Sequence, residues 1–434
     1  MWLTQPLLRR KMRRRGVAEP GYGMAVEERF GRYQAPAGSG YVWLHAVSLG
    51  ETRTAGILLK ALRQQMPGMR LLLTHGTATG RAEGLALLQP GDVQVWQPWD
   101  SAGATQRFLA HFRPAIGILM ETEIWPNLVA RCAASGVPLV LVNARLSEKS
   151  LRQAEQLAVL ARPAYGGLAA AWAQSEDDAG RLRALGAPVR AVLGNLKFDA
   201  SPDPDQLARG RAWRALAARP VVLFASSREG EELLWLGALQ AARARARIAL
   251  SSDAAVVGVG DVQWLVVPRH PQRFDEVAAL VAAEGFTVSR RSAWSDAPVD
   301  AEVWVGDSLG EMALYYGLAD IALLGGSFEP LGGQNLIEAA ACGCPVIMGP
   351  STFNFSEAAS LSEAAGAARR VAGMAEAVQA ALDWLNDAAA LSAAGAAGPR
   401  FAGAHRGAAV RTARAIADVL AEPRGEAARR NGLR

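Results

Sequence analysis

Short apolar runs recur along this chain, and each is followed by a loop of polar residues or glycine and then by a segment with helical periodicity. Brief aliphatic runs bounded in this way are typical of strands that are buried on both faces. Because these strands alternate with helices, they predict parallel sheets with helices packed on either side, and therefore the α/β class. The predicted strands are residues 41–47, 71–74, 93–95, 116–120, 138–142, 169–172, 221–225, 264–267, 303–305, 321–324 and 345–348.

This pattern occurs twice, on either side of a segment rich in proline and aspartate at residues 196–204 (LKFDASPDP) that we interpret as a linker. A chain of 434 residues is long enough for two cores, since single cores stop growing near about 250–300 residues. We therefore predict two Rossmann-like doubly wound domains that face a cleft, with ligands bound beside the carboxyl ends of the strands. The predicted boundaries are an N-terminal segment at 1–40, a first domain at 41–200 and a second domain with C-terminal helices at 205–422.

The C-terminal region is rich in alanine and has helical character. We expect this helical tail to pack back across the domains, and we expect residues after Glu422 to be disordered.

Cysteine and histidine usage argues against a metal site. The cysteines, Cys132, Cys342 and Cys344, are too few and too badly spaced for a disulfide framework or a structural zinc site. The five histidines are scattered without the spacing of metal ligands. We expect a reducing compartment, no metal and no bound cofactor.

A dense basic cluster, RRKMRRR at residues 9–15, follows the short apolar start MWLTQPLL. That start is too short to cross a bilayer, which needs about 20 apolar residues. Basic residues beside a few apolar ones favour an anionic lipid surface. Nucleic acid is not favoured as a partner, since no basic stripe interleaved with aromatic residues continues along the chain. A solvated tail is the alternative.

The stretch from residue 325 to residue 355 carries the strongest signal of a ligand site. The apolar run 321–324 leads into Gly325-Gly326-Ser327, and residues 332–335 (GGQN) open a helix with Glu338 in its first turn. Free N–H groups and the positive end of a helix dipole attract phosphate, and glycines let it approach closely. Glu338 is suited to a pair of ribose hydroxyls. Together these features favour a nucleotide site over glycines that only make tight turns.

Two further strand ends in the same domain have residue types that suit a nucleotide. Arg269, between Pro268 and a second proline, belongs to the residue type that grips phosphate or stacks on a base. The turn Leu309-Gly310-Glu311 presents backbone groups that suit a base edge. For both segments, an ordinary helix start is the alternative.

Glu51 is the candidate general base of the first domain. It follows the first strand and lies in the first turn of a helix, where the dipole favours an ionised carboxylate that can accept a proton. Ser48 stands three residues before it, so a capping box with a purely local role is the alternative.

Other charged residues follow later strands of the same domain. Glu121 and Glu123 follow the strand at 116–120, where a carboxylate could stabilise positive charge on a sugar carbon or orient a base. Alternatively, Glu123 starts the next helix and Glu121 pairs with an arginine such as Arg145. Lys197 lies at the domain junction and could neutralise a departing phosphate, or it could be a solvated surface lysine.

Several sequence blocks together resemble the bacterial Kdo transferases, the 3-deoxy-D-manno-octulosonic acid transferases of lipid A biosynthesis. The blocks are HAVSLGE, METEIWPN, GNLKFD, VPRHPQRF, VGDSLGEM and GGSFEPLGGQNLIEAAACGCPVIMGPSTFNF, and they span residues 43–355 in the order of that family. The resemblance implies a GT-B fold and an inverting, metal-independent transfer of Kdo from CMP-Kdo to lipid IVA in lipopolysaccharide biosynthesis. It also implies a location at the cytoplasmic face of the inner membrane, attached peripherally through residues 1–15 or by a short N-terminal anchor.

The resemblance assigns roles by matched position. Glu51 matches the proton acceptor of the family, and Glu121 and Lys197 match residues assigned to transition-state stabilisation. The segments that match CMP-binding residues are Pro268-Arg269, Leu309-Gly310-Glu311 and Asn335-Leu336-Ile337-Glu338. Gln334 departs from relatives that have histidine at this place. The competing hypotheses are a sugar-nucleotide epimerase of the GT-B fold and a nucleotide-sugar-binding or membrane scaffold protein without activity.

Overall fold

A computed structural model describes residues 5–248 and 256–422 of the chain. The chain divides into two compact units, one formed by the described parts of Met1–Asp199 and His405–Arg434 and the other by Ala200–Ala404. Each unit contains a seven-stranded sheet in which the paired strands are parallel. The predicted α/β class with two doubly wound parallel sheets is therefore confirmed.

The first unit has the strand order β3-β2-β1-β4-β5-β6-β7. Its strands are β1 (Val42–Ala46), β2 (Leu71–His75), β3 (Val93–Trp96), β4 (Ile116–Met120), β5 (Leu139–Ala144), β6 (Ala170–Ala173) and β7 (Val189–Val192). Its helices up to the domain boundary are α1 (Gln5–Ala18), α2 (Leu49–Gln65), α3 (Ala78–Gly84), α4 (Ala102–Phe112), α5 (Pro126–Ala134), α6 (Glu148–Gln156), α7 (Ala158–Gly166) and α8 (Glu176–Ala184).

The second unit has the strand order β10-β11-β9-β8-β12-β13-β14. Its strands are β8 (Val221–Ser227), β9 (Gln263–Pro268), β10 (Val288–Arg290), β11 (Val303–Val305), β12 (Ile321–Leu324), β13 (Val346–Met348) and β14 (Ala368–Arg370). Its helices are α9 (Pro204–Leu216), α10 (Glu231–Ile248), α11 (Phe274–Ala283), α12 (Met312–Leu318), α13 (Leu336–Ala341), α14 (Ser356–Ala364), α15 (Met374–Asn386) and α16 (Ala388–Ala404).

Each sheet has a topological switch point, between β1 and β4 in the first unit and between β8 and β12 in the second. Ligands of open α/β sheets bind outside the carboxyl ends of the strands at such a switch point. Glu51 follows β1 and Glu121 follows β4, so the topology brings these two predicted residues to the switch point of the first sheet.

Apolar side chains cover both faces of each sheet, as continuous burial of the strands requires. In the first unit, Trp43, Phe108 and Phe112 pack on one face of the sheet, while Leu58 and Leu62 of α2 belong to the core on the other face. In the second unit the core includes Trp235 and Trp264 together with aliphatic residues of β8, β9 and β12. Burial of this apolar surface is the main favourable term for folding.

The C-terminal helix α17 (Ala408–Ala421) belongs to the first unit, whereas the sequence assigned residues 205–422 to the second domain. Ile416 and other apolar residues of α17 share a core with Leu58 of α2, as expected for a tail that packs back across the domains. The Asp199 carboxylate accepts hydrogen bonds from the N–H groups of Gly407 and Ala409 at the start of α17, at 2.5 and 2.6 Å. Charge at a helix start and apolar burial together hold α17 in place.

Part of the predicted linker at residues 196–204 is packed rather than free. Leu196–Asp199 forms a short 3-10 helix in which Leu196 and Phe198 are buried, and α9 begins at Pro204. Asp203 is the N-cap of α9, since its carboxylate accepts hydrogen bonds from two backbone N–H groups. The boundary between the units therefore lies after Asp199. The predicted disorder after Glu422 lies outside the described residues.

The basic N-terminal segment is attached to the first unit. Met12 of α1 is buried in a small cluster with Tyr22 and Trp96. Further along, the Arg29 guanidinium is buried over the Trp96 ring and donates to the carbonyl oxygen of Gly76 at 2.7 Å. Among the described residues, no helix has both the length and the apolar character needed to span a bilayer.

Candidate active site

Glu51 lies in the first turn of α2, directly after β1. Its Oε2 accepts a hydrogen bond from the Val47 N–H at 3.0 Å, and its Oε1 accepts one from the Ser48 hydroxyl at 3.1 Å. Ser48 is the N-cap, since its Oγ accepts from the Glu51 N–H at 3.3 Å. The local cap that the sequence left as an alternative is therefore present, and it also fixes the orientation of the carboxylate.

Burial raises the pKa of Glu51 to about 7, and the negative charges of Glu121 and Glu123 add to this effect. The hydrogen bonds from Val47 and Ser48 oppose the rise without cancelling it. This differs from the expectation that the helix dipole keeps the carboxylate fully ionised, because desolvation outweighs the dipole here. A carboxylate with a pKa near neutrality suits general base catalysis better than one with its ordinary pKa.

Glu121 and Lys197 form an ion pair, with 3.2 Å between Glu121 Oε1 and Lys197 Nζ and side chains that are 15% and 20% exposed. This contact replaces the alternative in which Glu121 pairs with an arginine such as Arg145, although the Arg145 N–H donates to the Glu121 carbonyl oxygen. Glu121 has a φ of +56°, which is strained for a residue with a side chain. Strain of this kind at a strand end is frequent at functional sites.

Asn143, near the end of β5, fixes the loop that carries Lys197 and was not predicted from the sequence. Its Oδ1 accepts a hydrogen bond from the Leu196 N–H at 2.9 Å, while Asn195 Oδ1 accepts from the Lys197 N–H at 3.0 Å. Asn143 is buried with a φ of +50°, a conformation that asparagine tolerates better than most residues. The signal in the sequence that could have identified Asn143 is an asparagine near the end of an apolar strand.

In the second unit, Pro268 ends β9 and Arg269 follows it. The Arg269 N–H donates to the Ser227 carbonyl oxygen at 3.0 Å, which joins the ends of β9 and β8. The Arg269 guanidinium donates from Nε to Gln334 Oε1 at 3.2 Å. Gln334 thereby connects the predicted arginine to the segment that starts α13.

The turn at Leu309-Gly310-Glu311 follows β11 and precedes α12. Leu309 is largely exposed, and Gly310 has a φ of +77°. The Glu311 carboxylate pairs with Arg291 at 2.9 Å, and Glu311 is also the N-cap position of α12. The helix start predicted as the alternative is therefore present. The Gly310 carbonyl oxygen accepts from Gln206 Nε2 at 3.0 Å, which leaves the rest of the turn backbone as the part suited to contact a base.

Asn335-Leu336-Ile337-Glu338 forms the start of α13. The Asn335 side chain caps the helix, since its Oδ1 accepts from the Ile337 N–H at 3.1 Å. Leu336 and Ile337 are fully buried, so they anchor the segment rather than contact a ligand through their side chains. Glu338 is half-buried in the first turn, as the sequence predicted.

The glycine loop after β12 differs from the prediction in one respect, because several of its N–H groups are already occupied. The Glu231 carboxylate accepts from the N–H groups of Gly326 at 2.7 Å and Phe328 at 3.0 Å. Gly325 lies so close to Ser226 that a Cβ would stand 2.2 Å from the Ser226 carbonyl oxygen, and Gly326 has a φ of +70°. The glycines are therefore required for close packing between loops. The contact of this loop with Glu231 was not predicted from the sequence.

Several arginines lie near the carboxyl ends of β8 and β9. Burial lowers the pKa of His270, and the charges of Arg228, Arg269 and Arg273 lower it further. Arg273 is paired with Glu232 at 2.8 Å and with Glu276 at 3.0 Å. Since these carboxylates neutralise Arg273, the positive charge that suits an anionic ligand at this edge comes from Arg228 and Arg269. Within residues 5–248 and 256–422, no group of three or more His, Cys, Asp or Glu side chains could hold a metal ion.

Comparison with known proteins gives consistent results. The profile of the family described as "3-Deoxy-D-manno-octulosonic-acid transferase (kdotransferase)" matches residues 24–200. The chain is 48% identical to the 3-deoxy-D-manno-octulosonic acid transferase of Bordetella pertussis, over 90% of this chain and 91% of that protein. It is 32% identical to the enzyme of the same name from Haemophilus influenzae, over 82% of each chain.

Solved structures of low sequence identity show the same fold. The UDP-GlcNAc 2-epimerase of Neisseria meningitidis, bound to UDP-GlcNAc, matches 88% of this chain and 100% of its own with a TM-score of 0.56 and 14% identity. A glycosyltransferase from Rickettsia africae matches 88% of this chain and 99% of its own with a TM-score of 0.55 and 14% identity. These likenesses support the GT-B architecture.

Proposed function

Since the chain belongs to the 3-deoxy-D-manno-octulosonic acid (Kdo) transferase family and is a glycosyltransferase of this type, we propose that it transfers Kdo from CMP-Kdo to lipid IVA with inversion, with Glu51 as general base. The observation that carries the proposal is the oriented Glu51 carboxylate with a pKa of about 7 at the switch point of the first sheet. Such a group is ionised in a large fraction of molecules at neutral pH and is still basic enough to take a proton from an alcohol in the transition state.

The proposed reaction is a direct displacement. Glu51 takes the proton of the acceptor hydroxyl, and the hydroxyl oxygen forms a bond to the anomeric carbon of Kdo. The bond between that carbon and the phosphate oxygen breaks, and CMP leaves with the electron pair. A single displacement inverts the anomeric centre and needs one base rather than the pair of carboxylates of a double displacement.

Lys197 and Glu121 have complementary proposed roles. The Lys197 ammonium supplies positive charge for the negative charge that develops on the leaving phosphate. Glu121 holds Lys197 at 3.2 Å and, through its own negative charge, contributes to the raised pKa of Glu51. The pair therefore stabilises the transition state and also adjusts the base.

The second unit is proposed to hold CMP-Kdo through the segments 268–269, 309–311 and 335–338. The positive charges of Arg228 and Arg269 near His270 support binding of an anion at this edge of the sheet. The exposed turn at Leu309-Gly310 suits contact with the cytosine, and Glu338 suits the ribose hydroxyls.

A transfer assay tests the function. Radiolabelled Kdo is supplied with cytidine triphosphate and a CMP-Kdo synthetase, and lipid IVA is offered as acceptor. We expect labelled Kdo to appear on lipid IVA. Absence of transfer by the folded protein, or epimerisation of UDP-sugars in a parallel reaction, would contradict the proposal and favour the epimerase or the inactive binding protein.

The transfer is proposed to need no metal ion, because a leaving group with one phosphate needs less help from a divalent cation than a diphosphate does. We expect activity to be unchanged after treatment with EDTA. The same assay measures this, with EDTA in excess over all divalent ions. Loss of activity that added magnesium restores would contradict a mechanism without metal.

We propose that the protein acts at a membrane surface, the cytoplasmic face of the bacterial inner membrane, because its proposed acceptor is a lipid and its N-terminal helix is basic. Arg9 of α1 is paired with Glu27 and lies over the Phe30 ring, which fixes the helix on the first unit. The remaining basic residues of α1 are exposed: Arg10, Lys11, Arg13, Arg14 and Arg15. An exposed basic cluster on an attached helix suits anionic lipid headgroups.

Neutralising this basic cluster should weaken the binding of the protein to liposomes that contain anionic lipid. Each basic residue near an anionic surface contributes about 1 kcal/mol, so changing Arg10, Lys11, Arg13 and Arg14 to glutamine should lower the partition coefficient by about two to three orders of magnitude. A matched control changes the exposed residues Arg209, Arg245, Arg400 and Arg414 to glutamine. Equal binding by the two variants would contradict a role for the cluster, and cosedimentation with liposomes measures the effect.

A further inference from the structure

Glu231, the first residue of α10, carries a carboxylate in a wholly buried position. Its Oε2 accepts hydrogen bonds from the N–H groups of Arg228 at 2.9 Å and Gly326 at 2.7 Å, and its Oε1 accepts from the Phe328 N–H at 3.0 Å. The Glu329 N–H is a further donor to the same carboxylate. These bonds offset part of the cost of burying the negative charge, although burial still raises the pKa of Glu231.

The donors belong to two loops that meet at the switch point of the second sheet. Arg228 lies in the loop after β8, and residues 326–329 lie in the loop after β12, the strand that pairs with β8. Converging backbone N–H groups at such a place form a cradle that commonly binds the phosphate of a ligand. Here the anion in the cradle is a side chain of the protein itself.

The loop that Glu231 holds also determines the position of the segments predicted to bind the nucleotide. The Gly326 carbonyl oxygen accepts from the Gly333 N–H at 2.7 Å, directly before Gln334, which holds Arg269. Ser327 Oγ accepts from the Gly349 N–H at 2.8 Å, which ties the loop after β13 to the same loop. A change in the cradle would therefore be transmitted to the start of α13 and to Arg269.

We propose that Glu231 is a positioning residue for the donor: it acts as an internal anion that fills the cradle between the loops after β8 and β12 and thereby fixes the CMP-binding segments. This inference rests on the proposed function for the identity of the nucleotide. It also places the phosphate of the donor outside this cradle.

The test compares Glu231→Gln with the matched control Glu229→Gln, which changes an exposed carboxylate in the same turn. In Glu231→Gln an amide NH2 faces N–H donors and the charge-assisted bonds are lost. We expect the Kd for CMP, measured by calorimetry, and the KM for CMP-Kdo to rise by at least about tenfold, with kcat at saturating donor changed by less than about threefold. The control should match the wild type in all of these values.

Hydrogen exchange of single amides in the wild-type protein gives an independent measurement. We expect the Gly326 and Phe328 amides to exchange slowly without ligand and to gain no further protection when CMP is added. Rapid exchange without ligand, or strong protection that appears only with CMP, would overturn the proposal, because the cradle would then be filled by the donor phosphate. This measurement tests whether Glu231 fills the cradle even if Glu231→Gln does not fold.

The remaining outcomes separate the inference from the proposed function. A folded Glu231→Gln that binds CMP as tightly as the wild type would overturn the positioning role alone. A wild-type protein that fails to bind CMP would contradict the proposed donor, while the exchange rates of Gly326 and Phe328 would still test the cradle.

Discussion

Replacing Glu51 by glutamine is expected to lower kcat for Kdo transfer by about two to four orders of magnitude, the usual contribution of a positioned general base. Glutamine can keep the local structure, because its oxygen can accept from the Val47 N–H and its NH2 group can donate to Ser48 Oγ. The affinity for CMP should be unchanged, since the donor segments lie in the other unit. Glu155→Gln, an exposed change on α6, is the matched control.

The pH dependence of the wild-type enzyme should report the same group. Because burial raises the pKa of Glu51 to about 7, kcat/KM should fall about tenfold per pH unit below about 7 and reach a plateau above it. A profile that is flat between pH 5 and pH 8, or a Glu51→Gln variant with wild-type kcat, would show that Glu51 is only a helix cap.

Stability should change in the opposite direction to activity. The folded-state pKa of Glu51 lies above its ordinary value of 4.5, so the folded state binds this proton more tightly than the unfolded state does. The contribution to the free energy of unfolding is therefore largest at low pH and is lost as the pH rises through the window from 4.5 to about 7. Glu51→Gln should raise Tm relative to the wild type at pH 8 and should not do so at pH 4.5, as thermal unfolding would measure.

Replacing Lys197 by methionine is expected to lower kcat by about two to three orders of magnitude, comparable to the loss of one preorganised stabiliser of transition-state charge. The change also leaves Glu121 without the cation that lies 3.2 Å from it. Lys60→Met, an exposed change on α2, is the matched control for the loss of one positive charge. Wild-type kcat in Lys197→Met would contradict a role for the lysine in catalysis.

The acid limb of the pH profile distinguishes a catalytic pair from a structural one. The negative charge of Glu121 raises the pKa of Glu51, so Glu121→Gln should move the acid limb to lower pH. Lys197→Met exposes Glu51 to an uncompensated Glu121 and should move the limb to higher pH. Shifts in the same direction in both variants, or no shift in either, would contradict electrostatic coupling between the ion pair and the base.

The central strands and the two-sheet architecture followed from sequence, but three of the four edge strands did not. Residues 116–120, 303–305 and 321–324 match β4, β11 and β12, because strands buried on both faces need continuous apolar runs. β7, β10 and β14 were not predicted; they lie at sheet edges and include arginines. Edge strands are partly solvated, so their composition carries a weaker signal.

The candidate site was also predicted only in part from the sequence. The turns that carry Glu51, Glu121 and Arg269 were found because they follow apolar strands, and the carboxyl ends of parallel strands meet at one edge of a sheet. The roles of Asn143 and Glu231 were missed, because each acts through hydrogen bonds to residues far away along the chain. Leu196 is one such partner, and Gly326 is another.

The sequence by itself determined the alternation of strands and helices, the cap formed by Ser48, and the membership in the family, since these depend on local pattern and on matched blocks. Only the tertiary structure decided the properties of the charged groups. The pKa of Glu51 depends on desolvation and on the charges of Glu121 and Glu123. The partner of Lys197 is Glu121, which directly follows β4. The cradle after β12 is filled by the Glu231 carboxylate. Electrostatic free energies depend on distance and burial in three dimensions, and neither quantity is encoded in spacing along the chain.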